Sequence, residues 1–112
     1  MKRLIILNTA EISIILPTYN ESKNIRGILD HIKKSFPSNL KLETIVVDDN
    51  SPDNTAKIAE DYFHSIKEKS SHTINVIKRK AKNGLSSAIL NGIQESSGNT
   101  IVVMDSDFSH PP

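Results

Sequence analysis

The chain has 112 residues, enough for one domain and too few for two. With 37% hydrophobic and 24% charged residues it reads as an ordinary soluble sequence, and its longest apolar runs fall far short of the ~20 residues of a spanning helix. Lys and Arg number 14 against 13 Asp and Glu, so the net charge of +1 creates no global field, and no nucleic-acid partner is expected. The absence of Cys excludes a disulfide framework, a thiolate metal site and a thiol nucleophile, and is compatible with a reducing compartment.

Residues 1–11 read as an N-terminal extension. Lys2-Arg3 ahead of Leu4–Leu7 imitates the start of a signal peptide, but four apolar residues before Asn8 are too few. Leu4–Leu7 is either an extra edge strand or a disordered start. Ile12–Leu16, ended by Pro17, is a β-branched run that predicts a strand buried on both faces. Ile25, Ile28, Leu29, Ile32 and Phe36 then share one helical face. Ile45-Val46-Val47 predicts the second strand, ending at Asp48-Asp49.

Ser51 as cap, Pro52 at the first helical position and Asp53 near the dipole predict the start of a second helix. Its stripe is Ile58, Tyr62 and Ile66, with Ala59 and Phe63 alongside. A weaker strand is predicted at Ile74–Ile77. The third stripe is Leu85, Ala88, Ile89, Gly92 and Ile93, with Gly98 as the expected stop. Ile101–Met104 predicts the fourth strand. The order β-α-β-α-β-α-β, recurring every ~30 residues, predicts an α/β fold with a mostly parallel sheet and helices on both faces.

The polar residues gather just after the strands: Pro17–Glu21, Asp48–Asp53, Lys78–Gly84 and Asp105–Asp107. In a parallel sheet these positions share the carboxyl edge, where open α/β sheets bind ligands. Each group has two readings. Asp105-Ser106-Asp107 is a solvated turn or a pair of hard oxygen donors for Mg²⁺ or Mn²⁺. Two adjacent carboxylates, Asp48 and Asp49, need solvation or a partner; they cap the following helix or bind a nucleotide base or ribose. Lys78, Arg79, Lys80 and Lys82 form a solvated loop or hold a pyrophosphate.

Tyr19 stacks on a base or covers the sheet edge, and Glu21 bonds a base edge or sits in a first helical turn. His31, His64 and His72 are expected at the surface, on or beside helices, and His110 lies close to Asp107 with a metal approach as the lesser reading. There is no Gly-x-Gly-x-x-Gly after the first strand, no P-loop and no Gly-x-Ser-x-Gly elbow.

Pro17-Thr18-Tyr19-Asn20-Glu21, the run Val46–Thr55 and Asp105-Ser106-Asp107-Phe108-Ser109-His110-Pro111-Pro112 together resemble family 2 glycosyltransferases. Ser51-Pro52-Asp53 and Ser109-His110-Pro111-Pro112 favour the polyprenol (dolichol) phosphate mannosyltransferase branch, and Arg79, Lys82, Gly84, Leu85 and Ala88 fit its third block. The resemblance covers residues 12–112. It implies a GT-A fold, a Rossmann-like nucleotide-binding sheet, present here as an incomplete, N-terminal donor-binding part that stops after the Asp-x-Asp.

By that resemblance Pro17, Tyr19 and Glu21 line the nucleobase pocket, and Val47 and Asp49 contact base and ribose. Asp105, Ser106 and Asp107 hold the ribose–diphosphate region, with Arg79 and Lys82 as further donor-site residues. Asp105, Asp107 and Ser109 are the expected metal ligands and Asp107 the catalytic residue. The usual Gly after the acidic pair is Asn50, which tolerates positive φ, and the usual Gly-Leu-Gly is Gly84-Leu85-Ser86.

The implied reaction moves mannose from GDP-mannose to a lipid phosphate with inversion, aided by Mg²⁺ or Mn²⁺. The expected location is the cytoplasm, at the cytoplasmic face of a membrane for a complete enzyme, with a missing C-terminal half as a possible second chain. A UDP-sugar donor and a non-catalytic remnant are the alternatives. A signalling receiver domain also clusters aspartates on a doubly wound sheet, but there the acidic pair follows the first strand. Here Pro17–Glu21 occupies that position.

Overall fold

The computed structural model describes residues 10–68, 71–80 and 84–105. Four strands and three helices alternate: β1 (Ile12–Thr18), α1 (Ile25–Ser35), β2 (Leu42–Asp48), α2 (Thr55–Ile66), β3 (His72–Lys78), α3 (Leu85–Glu95) and β4 (Thr100–Val103). All pairings are parallel, and the strand order is β3-β2-β1-β4. The chain therefore winds outward from β1 to β3 and then returns to the other side of β1. That reversal makes the carboxyl ends of β1 and β4 a topological switch point. A receiver-type sheet would place its first strand between the second and third, so this order also removes that alternative.

The two central strands carry apolar side chains of both parities because both faces are covered. Ile14 and Leu16 of β1 and Leu42 and Val46 of β2 pack with Ile25, Ile28, Leu29 and Ile32 of α1 and with Ala59, Tyr62 and Ile66 of α2. Ile15, Ile45 and Val47 point the other way, against Ala88 of α3. Helices thus lie on both faces, as expected, but unequally: two on one side and one on the other.

The outer strands depart from the sequence reading. β3 is half-buried, and Ile101, Val102 and Val103 of β4 are 41%, 38% and 47% exposed. Among the described residues β4 has a neighbour only on its β1 side, so its apolar run is not the mark of a strand covered on both faces. The third helical stripe is likewise only partly used: Ala88 and Gly92 are buried, whereas Leu85 and Ile93 are exposed, as is Leu90 outside the stripe. β3 also begins earlier than expected, because its register runs back to Leu42↔His72. His72 is consequently a buried strand residue with Nε2 3.2 Å from the Pro37 carbonyl oxygen, and not a surface histidine.

Two helix-end expectations are corrected. α2 starts at Thr55 after Asn54 in the left-handed region (φ 69°), so Ser51 and Pro52 precede the helix and Ser51 does not cap it. α3 ends at Glu95, and Gly98 lies beyond it. The glycine serves close approach: a Cβ there would lie 2.6 Å from both Ser13 N and Ser13 Oγ. Gly98 N donates to Ser13 Oγ, and Ser13 Oγ and Ser97 N both donate to Glu43. This cluster fastens the α3–β4 turn to the amino ends of β1 and β2.

Candidate active site

The carboxyl ends of the strands bring the described motif residues together. Thr18 and Asp48 are register partners at the ends of β1 and β2. Asp48 is buried, and Thr18 Oγ1 (2.7 Å), Ser51 Oγ (2.7 Å) and Ser51 N (2.9 Å) all donate to its carboxylate. Its charge is met by three donors, so its burial is not an isolated penalty. Asn50 adopts φ 61°, a conformation asparagine tolerates, and lets the chain turn between the acidic pair and Ser51.

Asp49 has a different partner. Arg79, just past β3, donates from Nε to Asp49 Oδ1 at 2.5 Å, and both side chains are 8% exposed. The same guanidinium donates to Ser87 Oγ (2.9 Å) and to the Gly84 carbonyl oxygen (3.4 Å). Arg79 therefore spans the end of β2 and the start of α3, and its charge is committed inside the protein. Gly84, at φ 98°, is the residue that turns the chain into α3 there. Lys78 pairs instead with Glu60 of α2 at 3.2 Å, with side chains 60% and 38% exposed.

The β1–α1 loop is held by the β2–α2 loop. Asn20 N donates to Ser51 Oγ (2.8 Å), Glu21 N to Thr55 Oγ1 (2.9 Å) and Ser22 N to Asp53 Oδ2 (3.1 Å). Asp53 Oδ1 accepts in turn from Thr55 N and Oγ1, an Asx-type turn that leads into α2. Burial pushes the Asp53 carboxyl upward, but the hydrogen bonds from Thr55 and Ser22 outweigh it and hold the group below its ordinary value of 3.8. Tyr19 is exposed at the head of this loop, and the Glu21 carbonyl oxygen accepts from the first turn of α1.

At the switch point itself, a cleft of about 200 Å³ is lined by Pro17, Leu85, Ile89, Val103, Met104 and Asp105. Asp105 is exposed two residues past the end of β4. Pro17 and Val47 are register partners, so Val47 lies one strand away and buried. The structure thus brings Pro17, Tyr19, Glu21, Val47, Asp49, Arg79 and Asp105 to one edge. Lys82, Ser106, Asp107, Ser109 and His110 lie outside the described residues. Among the described residues no group of three acidic or histidine side chains could hold a metal ion. Mg²⁺ and Mn²⁺ do not need one, since a carboxylate or two plus substrate phosphates complete their shell, and Asp105 brings one oxygen-bearing side chain to the cleft.

Sequence reasoning passed over the holding roles of Ser51, Asp53 and Thr55. The available signal was a set of oxygen-bearing side chains at alternate positions, beside a loop with amides to satisfy.

An open parallel sheet whose polar residues gather at the carboxyl ends of its strands, beside a switch point, defines an α/β protein with a ligand-binding edge. The family model of Glycosyl transferase family 2 matches residues 13–112, and the chain belongs to that family.

The chain is 40% identical over 102 residues to the dolichol-phosphate mannosyltransferase of Pyrococcus furiosus, covering 91% of this chain and 27% of that protein. It is 35% identical over 104 residues to the dolichol-phosphate mannosyltransferase of Saccharomyces cerevisiae, covering 91% of this chain and 37% of that one. The chain therefore spans about a third of the curated relatives it matches.

Among solved structures, the mannosyltransferase PcManGT from Pyrobaculum calidifontis, in complex with GDP-Man and Mn²⁺, superposes with a TM-score of 0.77 at 26% identity, covering 88% of this chain and 28% of that one. TarS residues 1–349 of S. aureus in complex with UDP gives 0.73 at 29%, covering 87% and 27%. The fold is accordingly GT-A-like, and the chain forms part of such a domain. No helix among the described residues is long and apolar enough to cross a membrane.

Proposed function

We propose that this chain binds the donor of a family 2 glycosyltransferase, with GDP-mannose as donor and a polyprenol phosphate at a membrane's cytoplasmic face as acceptor of the whole protein. The observation that carries the reading is the convergence of Pro17, Tyr19, Asp49 and Asp105 on the switch-point edge of a family 2 sheet. Support for the sugar comes from the relatives, two dolichol-phosphate mannosyltransferases and a GDP-Man complex.

In this reading Tyr19 supplies a stacking face and Glu21 and Val47 flank the base. Asp49 accepts from a ribose hydroxyl while Arg79 fixes its orientation. Asp105, with Asp107 and Ser109, would hold Mg²⁺ or Mn²⁺, and Ser106 and Lys82 would bind the diphosphate. The bound cation would neutralise charge that develops on the departing diphosphate. A phosphate acceptor is already anionic at neutral pH, so the inverting transfer asks little of a general base, and Asp107 serves chiefly to organise the donor.

Calorimetric titration of GDP and UDP into the chain, with Mn²⁺ and with EDTA, tests the reading. Metal-dependent binding that prefers GDP and is lost in Asp105→Ala and Asp107→Ala is expected. A preference for UDP would transfer the proposal to a UDP-sugar, which the TarS likeness favours as the second reading. No binding by a folded sample would sink it.

A further inference from the structure

Three successive backbone amides of the β1–α1 loop end on three different side chains of the β2–α2 loop. Asn20 N goes to Ser51 Oγ, Glu21 N to Thr55 Oγ1 and Ser22 N to Asp53 Oδ2. A βα loop at a sheet edge ordinarily leaves such amides to water. Here none of the receivers is itself loose. Ser51 Oγ also donates to buried Asp48, Thr55 is fully buried, and Asp53 Oδ1 is occupied by Thr55. On its far side the loop is tied again, since Glu21 O accepts from Asn24 N (2.9 Å) and Ile25 N (2.8 Å). Asn20 adopts φ 55°, and its own amide and that of Glu21 are both tied, so the chain reverses at a pinned point.

We propose that Ser51, Asp53 and Thr55 are positioning residues: they form a template that presets the Tyr19–Ser22 backbone, and through it Tyr19 and Glu21, for the nucleotide base. The inference rests on the donor-site reading above for its ligand, but the template itself is a statement about the loop. It assigns these three side chains a task that requires no contact with the nucleotide. It also accounts for their alternation, because residues 51, 53 and 55 must all turn toward one neighbouring loop. A loop ordered beforehand loses less freedom when a base docks, so the template raises affinity without adding a contact.

Thr55→Val keeps the shape and removes the acceptor of the Glu21 amide; Thr55→Ser restores it. Ser51→Ala provides a second variant outside the buried core. Two readouts apply: amide hydrogen exchange at residues 20–22, and calorimetric affinity for GDP with Mn²⁺. In Thr55→Val the Glu21 amide, and in Ser51→Ala the Asn20 amide, should exchange at least tenfold faster, with sheet amides of β1 and β2 unchanged. GDP should bind roughly three- to tenfold more weakly in both, and Thr55→Ser should recover it.

Unchanged exchange at residues 20–22 overturns the template. Faster exchange with undiminished GDP affinity overturns its role in binding. Failure of the unsubstituted protein to bind either GDP or UDP overturns the donor-site reading and the role in binding with it, while the exchange rates still decide the template.

Discussion

Arg79 Nε stands 2.5 Å from Asp49 Oδ1, and the two side chains bury each other at the carboxyl edge of the sheet. The adjacent carboxylate, Asp48, faces the opposite way, toward Thr18 and Ser51. Two neighbouring like charges at a strand end are thus kept by sending each to its own partner set. The cation of this pair comes from a run that resembles an exposed basic loop, and its enclosure changes the part it can play. A guanidinium already shared among Asp49, Ser87 and Gly84 fixes the Asp49 carboxylate and the start of α3.

Removing Arg79 should therefore damage the fold as well as the site. Arg79→Met leaves a buried carboxylate alone and is expected to lower stability by about 3 kcal/mol or more. Arg79→Lys keeps the charge but not the fork of donors and should fall between. Urea unfolding distinguishes this from a solvent-facing phosphate ligand, whose loss would leave stability within about 0.5 kcal/mol.

Gly98 is predicted to tolerate no side chain. In Gly98→Ala the Cβ meets Ser13 backbone and the Ser13–Glu43 hydrogen bonds together. A loss of about 1–3 kcal/mol is expected, with the largest change in thermal unfolding and none in the α1–α2 face.

Acid should weaken the edge loops from a defined direction. The Asp53 carboxyl is held below its ordinary 3.8 by its hydrogen bonds from Thr55 and Ser22, which overcome burial. Asp30 is held down by its hydrogen bonds from Lys34 and Tyr62. A depressed pKa gives stability that is complete above the unfolded value and fades as pH falls through the folded one. Wild type and Asp53→Asn should consequently differ in unfolding midpoint near pH 6, and the difference should shrink as pH falls progressively below 3.8, as followed by circular dichroism.

At the alkaline end the sign reverses. Burial and the Asp30 carboxylate push the Tyr62 phenol up to about 12. Its contribution is complete below the unfolded value of 10.0 and is lost as pH rises through the folded one. Phenolate absorbance should show a step near 12 that disappears in Tyr62→Phe.

The β4–α3 surface should make the protein self-associate. Leu85, Leu90, Ile101, Val102 and Val103 expose apolar area beside an edge of β4 that pairs with none of the described residues. Ile101→Lys with Leu90→Lys is expected to reduce the sedimentation-average mass at high protein concentration without changing the circular dichroism spectrum. A mass unchanged by the double substitution would exclude this surface as the cause.

The sequence was most readable where local pattern and burial agree. The runs of β1 and β2 and the α1 stripe Ile25, Ile28, Leu29 and Ile32 became core, because each element has cover on the face its pattern demands. The same pattern misled at β4 and at Leu85 and Ile93, since an apolar run states a preference for burial and cannot say whether a neighbour is there. Register lies outside local pattern too, which is why His72 entered a strand.

In the site, the residue types were legible and their partners were not. Asp49 and Arg79 lie 30 positions apart, as do Thr18 and Asp48, and only the pairing of neighbouring strands joins them. Ser51 carries the signature of a helix cap, but left-handed Asn54 delays the helix and frees the hydroxyl for the adjoining loop.

The strand order has a consequence for how the chain assembles. β1 pairs with β2 after one short crossover, but its other edge waits for Thr100–Val103, the last strand of the sheet. During synthesis from the N-terminus, β1, α1, β2, α2 and β3 can condense around the larger core while that edge of β1 remains unmatched. Among the described strands, the switch-point crevice is therefore completed last. A nascent chain would acquire its scaffold first and its candidate binding cleft only on closure across the longest sequence separation in the sheet.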